Sequence, residues 1–159
     1  MPLFPRRRDA GFTMVELLVV MLIMTLLSLL TIPPLLRWLT RSELEQTGFQ
    51  VEMLLRKARQ KSISTQAPSL AIRQGRNVFA FVDANGDSTF TAGTDEELGR
   101  VALSPKVEWA TLSSFTAGYL ANGSATGLGD FHFKTRSGDQ LKVSITSLAS
   151  GNVKVEKIY

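Results

Sequence analysis

The sequence predicts an α+β protein: one long N-terminal α-helix, apolar in its first half and amphipathic in its second, packed on a C-terminal antiparallel β-sheet or two-sheet domain. Three observations carry this. Leu17 to Leu36 reads LLVVMLIMTLLSLLTIPPLL, 20 residues without a charge, which as a helix is roughly 30 Å long and matches a hydrocarbon core. Beyond Trp38, apolar residues recur at helical spacing to about Ser64. From Ala67 onward the period changes from 3.6 to 2, with turn residues between the alternating runs. The chain of 159 residues has room for one modest globular domain and an extension. The divisions are 1–11, a short basic leader; 12–36, a membrane-spanning segment; 37–66, the amphipathic continuation of the helix; and 67–159, the β-rich domain.

The leader, MPLFPRRRDAG, places Arg6, Arg7 and Arg8 directly before the apolar span. Such a cluster holds its end of a span in the cytoplasm, so the domain is expected on the periplasmic or extracellular side of an inner membrane. A secretory signal would end its apolar stretch in small residues at a cleavage site. Here no alanine occurs between Phe12 and Lys57, so a cut after the span is not expected.

The junction Gly11-Phe12-Thr13-Met14-Val15-Glu16 resembles the N-terminal signal of prepilins and pseudopilins. That resemblance implies cleavage by the prepilin peptidase between Gly11 and Phe12, N-methylation of Phe12, and an assembly role for Glu16. It also implies that Pro33 is the helix-bending proline often found in these spans. The expected partners are then the peptidase, the inner membrane, and other pilins or pseudopilins met through a bundle of helices.

The chemistry of Glu16 leads in the same direction. It would lie about 6 Å inside the helix start, and a carboxylate deep in a span costs roughly 2.5–3.5 kcal/mol. Cleavage would expose an amino cation on Phe12 of a neighbouring subunit. At 4 Å and an effective dielectric near 20, that pair gains about 4 kcal/mol, enough to offset the penalty and set an axial register. The alternative is a glutamate that reaches back to the headgroups. Pro33 and Pro34 donate no backbone hydrogen bond, so they either bend the helix or end the span. Thr25, Ser28 and Thr31 are candidates to cover the carbonyls so freed.

In the amphipathic half, Ser42 and Glu45 have capping-box spacing, and Leu44, Val51, Leu55 and Ala58 form the stripe expected to face the domain, with Met53 and Leu54 beside it. Arg56, Lys57, Arg59 and Lys61 suit a helix C-terminus. Strands are expected at Ser69–Gln74, Asn77–Val82, Leu98–Leu103, Lys106–Trp109, Asp130–Arg136, Gln140–Thr146 and Val153–Ile158. Gln74-Gly75-Arg76-Asn77 and Arg136-Ser137-Gly138-Asp139 read as hairpin turns, and Tyr119–Gly129 as a loop.

The stretch Phe81-Val82-Asp83-Ala84-Asn85-Gly86-Asp87, then Gly93-Thr94-Asp95-Glu96-Glu97-Leu98, is similar to the H-type minor pseudopilins (GspH/FimT), as is Leu54-Leu55-Arg56-Lys57-Ala58-Arg59. The resemblance implies a minor structural subunit of a type II secretion pseudopilus or a type IV pilus, with a DNA-binding minor pilin of natural transformation as the alternative. DNA-binding members carry Gly-Arg-x-Arg near the C-terminus, where this chain has Gly151-Asn152-Val153-Lys154. Lys154, Lys157, Arg136 and Lys142 are the candidate cations for a nucleic-acid patch. Residues 68–159 carry nine basic and nine acidic side chains, which leaves little net charge to drive phosphate binding.

No resident cofactor is expected. Asp83, Asn85 and Asp87 have the alternate spacing of a calcium loop, with Asp95 as a further ligand. Ser88 stands where such loops have glycine, and Thr94 where they have glutamate. The other reading is a loop of Asx turns that needs no metal. With no cysteine and His132 as the single histidine, the residues supply no nucleophile–base set, so no catalytic residue and no enzyme activity are expected.

Overall fold

The computed structural model describes residues 12–110 and 116–158. Gly11 and the leader arginines lie outside the described residues. The elements run in the order α1 (Met14–Thr65), β1 (Ser69–Gln74), β2 (Asn77–Val82), β3 (Glu96–Ala102), β4 (Val107–Trp109), β5 (Thr116–Tyr119), β6 (Asp130–Thr135), β7 (Gln140–Ile145) and β8 (Val153–Ile158). Two compact units divide after Arg37.

The first unit carries the apolar half of α1. Thr13 starts the helix: its hydroxyl accepts the Glu16 N–H at 3.2 Å and its carbonyl accepts the Leu17 N–H at 3.2 Å. The helix continues through Pro33 and Pro34, so the prolines do not end it. The carbonyls deprived of donors there are those of Leu29 and Leu30, four residues back. The hydroxyls expected to help bond elsewhere: Thr25 donates to Met21, Ser28 to Met24 and Thr31 to Leu27, each at 2.8 Å. Each side chain reaches one turn back from its own position, and none stands four residues after Leu29 or Leu30. Every residue from Phe12 to Leu36 is exposed, and α1 is the one helix among the described residues long and apolar enough to cross a membrane.

The second unit is the domain. Ser42 lies within α1, so its pairing with Glu45 is not a helix start; no turn breaks the chain there. The buried stripe is Leu44, Thr47, Gly48, Val51, Leu54, Leu55, Ala58 and Ser62, one face of a 3.6-residue period. It packs on two four-stranded antiparallel sheets, ordered β3-β2-β1-β5 and β4-β6-β7-β8. The hairpins β1–β2 and β6–β7 turn where the sequence predicts. One strand is new: β5 pairs with β1 through Ser69↔Tyr119 to Ile72↔Thr116. Its four residues, TAGY, are too short to show alternation, and Tyr119 therefore belongs to a strand rather than to the loop that follows.

Small residues let the layers meet. A Cβ on Gly48 would stand 2.5 Å from Leu141 Cδ2 on β7, so glycine permits the close helix–sheet approach. Ala71, Ala80 and Ala117 line the face of the first sheet that joins the main core with α1. The opposite face of that sheet carries Leu70, Phe79 and Phe81 as a separate cluster. In the second sheet Phe131, Phe133, Leu141, Val143 and Ile145 alternate inward.

Candidate functional site

The N-terminal turn is the first candidate. Thr13 is the N-cap and Glu16 the third helical residue, so Thr13-Met14-Val15-Glu16 is the capping-box pattern that the sequence carried one turn into the apolar span. A carboxylate at this position also meets the positive end of the helix dipole. The Phe12 side chain is 81% exposed, and Glu16 is exposed beside it at the start of α1. Pro33 sits inside α1, 17 residues after Glu16.

The loop after β2 is the second candidate. Asp83 is 2% exposed, and its two carboxylate oxygens accept the Gly86 N–H at 2.8 Å and the Ser88 N–H at 2.9 Å. Asp95, also buried, accepts from Ala84 N–H at 3.0 Å and Thr91 N–H at 2.6 Å. Asp87 accepts from the Thr89 amide at 2.7 Å and hydroxyl at 2.8 Å, which hold its carboxyl below the usual carboxylate range. Asn85 bridges to Asp87 through Nδ2 at 2.9 Å. Ser88 takes the left-handed conformation, with φ 63°. The oxygens thus serve backbone amides within a set of Asx turns. Among the described residues no group of three or more His, Asp or Glu side chains is arranged to hold a metal.

This hydrogen bonding positions Phe90. Its ring meets Phe79 edge-on at 4.9 Å and Phe81 at 5.5 Å, closing the outer aromatic cluster of the first sheet. In this arrangement the carboxylates of Asp83 and Asp95 brace a loop that folds back over an apolar face.

The four cations offered for nucleic acid do not form one patch. Lys157 pairs with Glu45 of α1 at 2.7 Å, Lys142 with Asp130 at 2.9 Å, and Arg136 with Glu108 at 3.7 Å. The hydrogen bond that Lys142 donates to the Asp130 carboxylate raises the Lys142 pKa above its ordinary value. Lys157 stands opposite Leu141 in the β7–β8 ladder, whereas Lys154 stands opposite Ser144 and Lys142 opposite Glu156. The two-residue pleat thus separates Lys157 from Lys142 and Lys154, and strand register was not legible from the sequence. His132 lies on the polar side of β6, opposite Lys142.

The cations near the end of α1 are largely structural. Lys57 donates to the Leu98 carbonyl at 2.6 Å, Arg59 to that of Gly123 at 3.0 Å, and Lys61 pairs with Glu96 at 2.8 Å. Farther back, Glu43 receives the Lys106 ammonium at 2.6 Å and the Ser104 hydroxyl. Together these hold its carboxyl below the ordinary range.

Residues 6–32 match the family described as the prokaryotic N-terminal methylation motif. In fold, the chain is similar to the crystal structure of the type IV minor pilin FimU from Pseudomonas aeruginosa. The match has a TM-score of 0.55 and 18% identity, and covers 73% of this chain and 90% of that one. No curated protein matches the sequence. The chain is pilin-like in fold and carries the methylation motif of prokaryotic pilins.

Proposed function

We propose that this pilin-like chain is a minor structural subunit, cleaved by prepilin peptidase between Gly11 and Phe12 and assembled through α1 into a type IV pilus or a type II secretion pseudopilus. The observation that carries the reading is an apolar helix that overlaps the methylation motif matched at residues 6–32 and exposes every residue from Phe12 to Leu36. An apolar surface of that length requires lipid before assembly and other helices after it. Membrane storage with the leader arginines in the cytoplasm follows from the positive-inside rule. Glu16 then accepts the methylated amine of a neighbouring Phe12, which fixes the axial step between subunits. The loop Asp83–Asp95 and the Leu54–Arg59 segment support placement with the H-type minor pseudopilins. The paired and dispersed cations of the domain give no support to the DNA-binding alternative.

Mass spectrometry of the mature chain tests the processing step. The expected first residue is N-methylated phenylalanine, corresponding to Phe12. Gly11→Trp is expected to leave a longer, membrane-held precursor; normal maturation of that variant would overturn the assignment.

A further inference from the structure

The domain half of α1 runs beside a free sheet edge. Strand β3 pairs with β2 alone, so its outer edge from Gly99 to Ala102 presents unpaired main-chain groups, the feature that templates strand addition. Between that edge and α1 lies a groove of about 880 Å³. Phe49 and Met53, 60% and 51% exposed, supply apolar surface on the helix side, beside Leu54 and Val101. The β8 edge is different in kind: Lys154, Glu156 and Lys157 guard it with the charges that discourage strand pairing. Over Gly99–Ala102, β3 has one charged residue, Arg100.

The lining also has a sign. Arg56, Lys57 and Arg100 border the groove, and no carboxylate does. Arg56 pairs with Glu52 and Arg100 reaches Glu97 at 4.0 Å, but Lys57 has no carboxylate partner among the described residues. Its ammonium caps the Leu98 carbonyl at 2.6 Å, which confines free edge pairing to the residues after the bulge in β3.

We propose that this groove receives an extended polypeptide segment with alternating aliphatic and acidic side chains, added as a strand along β3. The alternation follows from the pleat. Val101 stands opposite the core residue Val78, so side chains on that face of an added strand meet Phe49 and Met53. Arg100 stands opposite Phe79 with its guanidinium 5.0 Å from that ring, so alternate side chains on the other face meet a cation. Main-chain pairing supplies affinity and the two faces supply selectivity. The inference stands on the groove and does not depend on filament assembly.

Selection of a random library of short linear peptides on the full chain in detergent micelles tests it. The recovered sequences are expected to alternate aliphatic residues with Asp or Glu. A synthetic peptide of the recovered sequence should bind about tenfold more weakly to the Met53→Asp chain. It should also weaken by about tenfold when N-methylated at alternate residues along one edge, and not along the other. Recovery of no peptide, sequences without that alternation, or indifference to Met53→Asp would overturn the proposal. Equal tolerance of N-methylation on both edges would reject strand addition.

Discussion

Gly151, just before β8, shows how tightly one residue can be constrained. Its φ is +57°, and a Cβ there would stand 2.7 Å from the Gly123 carbonyl oxygen and 3.0 Å from Tyr119 Cε1. A left-handed alanine costs about 1–2 kcal/mol, and overpacking a filled site costs about 1–3 kcal/mol more. Gly151→Ala should therefore lower stability by at least about 2 kcal/mol, read from the denaturant midpoint of the full chain; an unchanged midpoint would contradict this packing. The adjoining Tyr119 is fully buried, and its hydroxyl has no hydrogen-bond partner among the described residues. Burial pushes its pKa up from 10.0 to about 12, against a smaller lowering by Arg59 and Arg56. Because the folded value is raised, the stabilising contribution is complete below pH 10.0 and is lost as pH rises toward about 12. In an ultraviolet titration, one of the two tyrosines should stay unionised until pH nears 12. Ionisation of both near 10.0 would refute its burial.

Among the elements, the strands with clear alternation and marked turns were legible: β1, β2 and β8 have the bounds that the residue pattern predicts. β5 was hidden because its four residues gain strand geometry from β1, a partner more than 40 residues earlier in the chain. The Asp83–Asp95 loop was visible as spaced oxygens, but the pattern suits an ion and a row of Asx turns equally well. What the sequence omits is the direction of each carboxylate, and that depends on burial. In the structure Asp83 serves two amides and helps seat Phe90 on the aromatic face. Asp83→Ala should cost about 1–3 kcal/mol by leaving buried donors unpaired. The thermal midpoint of the parent chain should not respond to calcium or chelator; a calcium-dependent rise would return the loop to metal binding.

For the whole molecule, the helix and its apolar half were readable because one long run decides them. The packing of two sheets on one helix was open between one sheet and two, since non-local pairing leaves no local signal. The candidate assembly site was readable at Glu16, and the T-x-x-E spacing that marks Thr13 as the cap of the same turn stood in the sequence beside it. Glu16→Ala should mature normally yet enter filaments poorly, measured as the ratio of subunit in sheared filaments to subunit retained in membranes. An unchanged ratio would remove Glu16 from the assembly step. The domain half of α1 is fastened along both sides: Glu43 to Lys106, Lys57 to Leu98 and Lys61 to Glu96 on one flank, Glu45 to Lys157 and Arg59 to Gly123 on the other. Tension applied along that rod is shared across several rungs at once, so withdrawing it demands that they shear together. A peeling force at a single strand would meet them one after another.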